Sequence, residues 1–337
     1  MDKRPLVSIV IVNYNGQRHL KDSLPSILKT EYSNYEIILV DNGSIDGSVR
    51  FVTQNFPFIK IVHSKRNIGA AGGYNLGILN AKGKYVAVLN NDIEVDPEWL
   101  QPLVKILEES PDVAAVDPKY LNFYDRKKFD SSAAAGRYID FVGNCFTRGV
   151  GEEDRGQYDE ITRIFTCCTM FRREVIEEVG LFDQDLFYGF EDADLCWRVI
   201  LRGYQILYVP SSRIYHKVGG TSMSREKRHK PDFYFFWKRN RILILLKNYS
   251  GKTLLRLLPL ALLEHLGYII YWSMERDKQY SLESLRALLW ILKNFSTVWA
   301  KHRFVQSIRK TNDREVMRIM VPYSGDPTKF LSKIIGL

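Results

Sequence analysis

The stretch Tyr85-Val86-Ala87-Val88-Leu89-Asn90-Asn91-Asp92-Ile93-Glu94 limits the possible fold more than any other. Five apolar or aromatic residues in succession, rich in bulky and β-branched types, read as a strand buried on both faces. The strand then stops on two amides and two carboxylates. Ligands of an open α/β sheet sit beyond the carboxyl ends of its strands. Oxygen atoms clustered there suit a hard divalent cation and a phosphate partner, or else form a polar turn that only carries the chain out of the sheet.

Three earlier runs place this strand in a series. Val7–Val12 ends at Asn13-Tyr14-Asn15-Gly16, Glu36–Val40 ends at Asp41-Asn42-Gly43-Ser44, and Ile59–Val62 is a third short run. Helical segments fall between them: Arg18 to Leu28, with Leu20, Leu24, Ile27 and Leu28 on one face, then Val49 to Phe56. A glycine-rich loop, Asn67 to Asn75, opens a helix that runs to about Ala81. This β-α-β-α-β-α-β alternation predicts an α/β fold: a Rossmann-like, mostly parallel sheet with helices on both faces.

Two nucleotide signatures fail. The glycine loop lacks GxGxxG spacing and follows the third strand, where a dinucleotide motif follows the first. Ser250-Gly251-Lys252-Thr253 ends like a P-loop, but it follows a helical run and Leu246 occupies the first glycine position. Beyond Pro97 a helix runs to about Glu109. Asp117 to Gln157 is polar and glycine-dotted, and predicts loops with short strands. Thr166–Phe171 reads as a strand, Arg173–Val179 as a short helix, and Tyr204–Val209 as a strand before Ile214-Tyr215-His216 and Gly219-Gly220-Thr221. Between them, the acidic cluster Glu191-Asp192-Ala193-Asp194 opens a helix with Leu195, Val199 and Ile200 on its apolar face. Asp194 suits a helix cap there.

Taken together, VSIVIVNYNG, IILVDNGSIDGS, NIGAAGGYNLGI, YVAVLNNDIEVDPEWL and GLFDQDLFYGFEDADLCWRVILRGY resemble, in order, the catalytic domain of glycosyltransferase family 2 on the GT-A fold. The resemblance covers roughly residues 6–221, and Asn90-Asn91-Asp92 with a late histidine is similar to its rhamnosyltransferase and galactofuranosyltransferase-like branch.

The resemblance implies an inverting, metal-dependent transfer of a sugar from a UDP- or dTDP-sugar to a carbohydrate or lipid-linked saccharide acceptor. Asn90-Asn91-Asp92 stands where the family has DxD. Asp92 is then the charged metal ligand, while Asn90 and Asn91 are nucleotide-sugar contacts and Asn90 removes one charge from the motif. His216 matches the family's late histidine as a second ligand; imidazole somewhat favours Mn²⁺ over Mg²⁺. Asp41 resembles the aspartate that reads the base edge, although Asp-Asn-Gly is also good turn chemistry. Asn13, Tyr14 and Asn75 join the same nucleotide-sugar pocket. Gly72 and Gly73 either let backbone approach the nucleotide or only ease the turn into the helix. Asp192 is the expected base, with Glu191 as the other candidate. Trp197 and Arg198 fit an acceptor-stacking face and a phosphate contact, with plain core as the other reading of Trp197. A catalytically silent nucleotide-sugar-binding scaffold of the same fold is the alternative that the Asn90 departure supports. A nucleotidyltransferase would need a glycine-arginine loop after the first strand, which is absent.

Charge divides the chain. Residues 1–216 hold 25 Lys/Arg against 30 Asp/Glu, a net of −5, and residues 217–337 hold 23 against 9, a net of +14. A basic third points to an anionic partner, and no zinc finger, RNP-type aromatic pattern or helix-turn-helix favours nucleic acid. The expected organisation is a nucleotide-sugar-binding domain over 1–230 and a basic, apolar helical region over 231–337. In the latter, Leu254–Trp272 is strongly apolar, interrupted by Arg256, Glu264, His265 and Pro259. Ser284–Trp299 predicts an amphipathic helix with Leu285, Leu288, Leu289, Leu292, Phe295 and Trp299 on one side. Such helices lie in membrane interfaces, or pack on the core or on a second copy of the chain. Cys145, Cys167, Cys168 and Cys196 show no CxxC pairing, and the N-terminus runs almost directly into a strand without a signal peptide. The expected location is cytoplasmic, peripheral on the inner face of the cell membrane.

Overall fold

A computed structural model of the chain describes residues 4–166, 169–217, 231–275 and 278–322. Its first part alternates as the sequence predicts: β1 (Val7–Asn13), α1 (Gln17–Ile27), β2 (Tyr35–Asp41), α2 (Ser48–Asn55), β3 (Lys60–His63), α3 (Gly69–Ile78) and β4 (Tyr85–Asn90). β5 (Ile93–Val95), α4 (Leu100–Glu109), β6 (Val113–Asn122), β7 (Arg137–Ile139), β8 (Cys145–Thr147), β9 (Thr162–Arg163) and β10 (Met170–Arg172) follow. Then come α5 (Arg173–Glu178), α6 (Glu191–Leu201) and β11 (Gln205–His216).

The main sheet runs in the order β3-β2-β1-β4-β10-β6-β11-β5, with β9 also paired to β11. β3, β2, β1 and β4 are all parallel, while β10 lies antiparallel between β4 and β6. β6 and β11 return to parallel pairing. Every residue of β4 but its last is buried, as a strand covered by helices on both faces requires. Cores lie on both sides of the sheet, with Val10, Val40 and Val88 in one and Ile9, Leu39 and Leu89 in the other.

Three expectations shift. The glycines of the Asn67–Asn75 stretch lie inside α3 rather than in a loop before it. A Cβ at Gly73 would stand 2.7 Å from Val12 Cγ1, and one at Gly77 2.1 Å from Val10 Cγ1, so these glycines let the helix lie close on β1. The supposedly irregular stretch from Asp117 begins as the second half of the ten-residue strand β6. The expected strand Thr166–Phe171 is seen as β10 alone, with Cys167 and Cys168 outside the described residues. Among the described residues the remaining cysteines, Cys145 and Cys196, are free thiols. Gly219-Gly220-Thr221 also lies outside the described residues.

The C-terminal part is helical: α7 (Pro231–Asn248), α8 (Gly251–Met274), α9 (Lys278–Lys293), α10 (Phe295–Ile308) and α11 (Asp313–Met317). The continuous helix expected over Ser284–Trp299 is interrupted at Asn294, which precedes α10. Two polar residues of α8, Glu264 and His265, are used inside the bundle. Glu264 pairs with Arg241 at 2.9 Å, and His265 meets the Ser284 carbonyl at 2.9 Å. The leucines point outward instead: Leu263, Leu266, Leu285, Leu289 and Leu292 are all exposed, beside Phe295 and Trp299. α8 is also long and apolar enough to cross a membrane by length and composition.

Candidate functional site

Strand register brings the first two site residues together. His216, the last residue of β11, pairs with Ile93 at the start of β5, and the Lys217 amide donates to the Asp92 carbonyl at 2.9 Å. His216 Nε2 consequently faces Asp92 Oδ1 at 3.4 Å. Behind the ring, Nδ1 lies 3.2 Å from Asp130 Oδ2, a carboxylate with no exposed surface. Asp130 also accepts from the amides of Ser132 at 2.7 Å and Ala133 at 3.0 Å. The three side chains form a row, Asp92–His216–Asp130.

The charges in the row support one another. Burial opposes the His216 charge, yet Asp130 and Asp92 outweigh it and raise the imidazole to about 10. Burial likewise opposes ionisation of Asp130, but His216 and Ser132 bring it down to about 2. Asp92 is lowered too, His216 prevailing over burial.

Facing the same cavity, the first turn of α6 presents Glu191 and Asp192. Asp192 Oδ2 is ion-paired with Arg137 of β7, and its Oδ1 accepts from the Ala193 amide at 2.8 Å. Glu191 is different. Its Oε2 has no hydrogen-bond partner, and burial, with the adjacent Asp192 charge, pushes its carboxyl up to about 8. Burial thus favours the neutral acid form of Glu191 beside a paired carboxylate. The cavity holds about 870 Å³, within the ~300–1,000 Å³ usual for small-molecule sites.

The nucleotide-side residues divide. Tyr14, Asn90, Asn91 and Asp92 line the cavity. Asn90 Oδ1 accepts from the Tyr74 hydroxyl at 2.7 Å, and Asn91 Nδ2 donates to Asn13 Oδ1 at 2.6 Å. Asn13 is itself fully buried behind that bond and does not reach the cavity wall. Asp41 is turned to the Ser44 amide at 3.1 Å and to His63 at 3.4 Å, also off the wall. Gly72 and Gly73 are buried in α3, where close packing is what they permit. Asn75 is a buried clip: its amide donates to the Phe182 carbonyl at 2.8 Å and accepts from the Phe182 amide at 3.0 Å.

On the acceptor side, the structure does not bring Trp197 and Arg198 to the cavity. Trp197 has no exposed surface and packs edge-on against Phe165 and Tyr249, because the polar first turn of α6 points to the site while the next turn points into the core. Arg198 is buried, bound to Asp194 at 2.8 Å and to the Leu181 carbonyl at 2.6 Å. Asp194 caps nothing. It accepts from Arg198, from Lys247 at 2.8 Å and from Asn248 at 3.1 Å, which ties α6 to α7.

Sequence reasoning missed Asp130, Arg137, Asn42 and Asn67, and the aromatic wall from α7, Phe233, Phe236 and Trp237. Asn42 and Asn67 lay within quoted motifs, and Asn42 Nδ2 joins Asn67 Oδ1 at 3.1 Å. Asp130 and Arg137 lie in irregular segments with no local signal, and the aromatic run Phe233–Trp237 is plain in the sequence but its destination is not.

Asp92 and His216 fit a divalent cation as two protein ligands. The imidazole is backed by a carboxylate on its far nitrogen, an arrangement typical of metal-ligating histidine. Among the described residues no ready-made cluster of three or more acidic, His or Cys ligands exists, so the remaining coordination sites would fall to ligand or solvent oxygens.

A sheet of this topology with acidic strand ends and helices on both faces defines a GT-A fold. Glycosyl transferase family 2 matches over residues 8–180, just over half of the chain, and the protein belongs to that family. Poly-beta-1,6-N-acetyl-D-glucosamine synthase of Staphylococcus aureus is 27% identical over 215 residues, covering 62% of this chain and 49% of the relative. An uncharacterized protein, y4gI, of Sinorhizobium fredii is 28% identical over 231 residues, covering 64% of this chain and 25% of the relative. The chain thus spans half or less of these curated relatives. Among solved structures, GalNAc-T7 with UDP, GalNAc and Mn²⁺ superposes with a TM-score of 0.59 at 18% identity over 88% of this chain and 58% of its own. S. aureus TarS gives 0.51 at 16% identity over 73% and 40%. These likenesses establish the fold.

Proposed function

We propose that the protein is an inverting, cation-dependent glycosyltransferase, moving a hexose from a UDP- or dTDP-sugar to a carbohydrate or lipid-linked saccharide acceptor. The observation that carries this reading is that Asp92–His216 and Glu191–Asp192 open onto one cavity. Mn²⁺ or Mg²⁺ held by Asp92 and His216 would neutralise charge developing on the departing diphosphate. Asp130 holds the His216 ring so that Nε2 faces the cavity. Asp192, oriented by Arg137, takes the proton of the acceptor hydroxyl as its oxygen attacks the anomeric carbon and the bond to the diphosphate oxygen breaks. One base and no separate nucleophile means a single displacement with inversion. Glu191, whose burial favours the neutral form, adds little negative charge beside that base. Tyr14, Asn90 and Asn91 are the chain's contacts to the nucleotide sugar. The relatives named above do not favour the rhamnosyl or galactofuranosyl branch, and the N-acetylhexosamines named for the Staphylococcus aureus synthase and GalNAc-T7 make UDP-N-acetylhexosamines the first donors to try.

The helical region over 231–337 is proposed to rest on the inner face of the cytoplasmic membrane. Exposed leucines of α8 and α9, with Phe295 and Trp299, stand among exposed Arg256, Arg286, Lys293 and Arg303. Self-association through the same face is the competing outcome.

A donor panel read by thermal shift with Mn²⁺ tests the reading, since a ligand at 100 times its Kd stabilises the fold by about 2.7 kcal/mol. A donor that stabilises the wild type and turns over, and that still binds Asp192→Asn without turnover, is the expected result. Binding without turnover in the wild type would favour the silent scaffold. Full turnover by Asp192→Asn would remove the base assignment.

A further inference from the structure

The turn before α6 is an unusual piece of backbone. Phe187 has φ +52°, Gly189 +81° and Phe190 +70°, so two phenylalanines hold the positive φ that side chains rarely adopt. Phe190 stands at the N-cap of α6 with no side-chain cap, and the two cavity carboxylates follow at once. Backbone of this kind persists only where its surroundings over-determine it.

The surroundings come from α7. Asn240, fully buried, donates from Nδ2 to three carbonyls of the turn: Leu186 at 2.8 Å, Tyr188 at 3.0 Å and Gly189 at 2.7 Å. An amide NH₂ has two hydrogens, so one is shared. Its oxygen accepts from Arg239 Nε at 2.9 Å and Nη2 at 2.8 Å, which fixes the amide with its nitrogen toward the turn. The same helix then matches the turn ring by ring. Phe236 stacks on Phe187 at 5.2 Å, and Trp237 meets Phe190 edge-on at 4.9 Å. On the opposite side, the Ala70 amide of α3 donates to the Phe187 carbonyl at 2.8 Å.

We infer that Asn240 is a positioning residue: by clamping the Leu186–Gly189 carbonyls from α7, it sets where Glu191 and Asp192 enter the cavity. This rests on the transfer reading above. Aromatic packing alone would bury the turn, but rings can slide; three directed hydrogen bonds fix the peptide planes that lead into α6. Asn240 touches no part of the cavity itself and acts only through the turn.

The test compares full-length wild type with Asn240→Asp, which keeps the shape but loses the donors, and with the milder Asn240→Ser. Amide exchange resolved by peptide is measured alongside transfer kinetics with the donor found above. In Asn240→Asp, amides of Phe187–Asp194 should exchange at least ~10-fold faster while β1 is unchanged. The kcat should fall ~10²-fold with donor KM within about threefold, because a small misplacement of a catalytic group costs rate and not ground-state binding. Asn240→Ser should lie between, and it carries the same comparison if Asn240→Asp does not fold. Wild-type exchange across 187–194, or a raised KM with kcat intact, would overturn the clamp. A wild type inactive with every donor would instead sink the transfer reading, and the exchange data would still decide the clamp.

Discussion

The two halves of the sheet are built on different terms. In β3-β2-β1-β4 the strands are parallel, consecutive in pattern, and each ends on its own short polar motif. From β10 to β5 the pairing alternates in direction, and the groups that reach the cavity come from a loop after β6, a short hairpin, the first turn of α6, the end of β11 and the C-terminal helix α7. The first half assembles a ligand surface locally, at strand ends. The second half adds to it by long-range register, so that apart from His216 and the acidic start of α6 its residues carry meaning only once the chain is folded.

Variants can break this contrast. The largest effect is expected from Asp92→Ala, where loss of the charged strand-end group should lower transfer by at least ~10³-fold, about 4 kcal/mol, at saturating donor and Mn²⁺. Retained activity would mean that the strand-end half does not carry the cation. Asp194→Ala should instead act on folding. It leaves Arg198 buried without its carboxylate and Lys247 with Asp183 alone, and removal of one member of a buried ion cluster costs about 3–5 kcal/mol in a denaturation experiment.

Asp130→Asn is intermediate. It keeps the fold but loosens the His216 ring, and loss of such a supporting carboxylate lowers metal affinity by ~10–100-fold, measurable by titration with Mn²⁺. Glu191→Gln separates the two carboxylates of α6. The Glu191 carboxyl is raised from 4.5 to about 8, so the folded state binds more protons than the unfolded one between those values. Its favourable contribution is complete below about 4.5 and is lost as pH rises through about 8; the glutamine variant should show a flatter stability profile there, by at most a few kcal/mol. The smallest effect on the fold belongs to Leu289→Ser. This side chain is 54% exposed, so melting should change by less than ~0.5 kcal/mol while pelleting with anionic liposomes falls. Unchanged pelleting would detach the helical region from the membrane.

The legible part of the molecule was the part governed by local pattern. β1, β2 and β4, with α1 and α2, appeared within a residue or two of expectation, because apolar runs of strand length and a helical apolar face are short-range signals. Asp92 and His216 were legible for the same reason, each being the polar stop of a strand. Asp130 was not: its role depends on β6 carrying it behind a ring 86 residues away in sequence. Trp197 misled because an aromatic beside an acidic cluster has the composition of a sugar site, while helical geometry turns it a full 100° or so per residue away from its neighbours. The leucines of α9 were legible as a stripe but not in what covers them. Their amphipathic stripe left membrane, core and a second copy open as its covering, and the core takes Ser284, Ala287 and Ile291 instead.

The glycines of α3 have one more consequence. Ala70 and Tyr74 of that helix form part of the cavity wall, while Gly73 and Gly77 of the same helix rest on β1. The thickness of two absent methyl groups is therefore also the depth of the cavity. An alanine at either position would act as a shim, prising the helix from the sheet and lifting the wall toward the ligand, so that the space offered to a sugar is gauged by residues that never meet it.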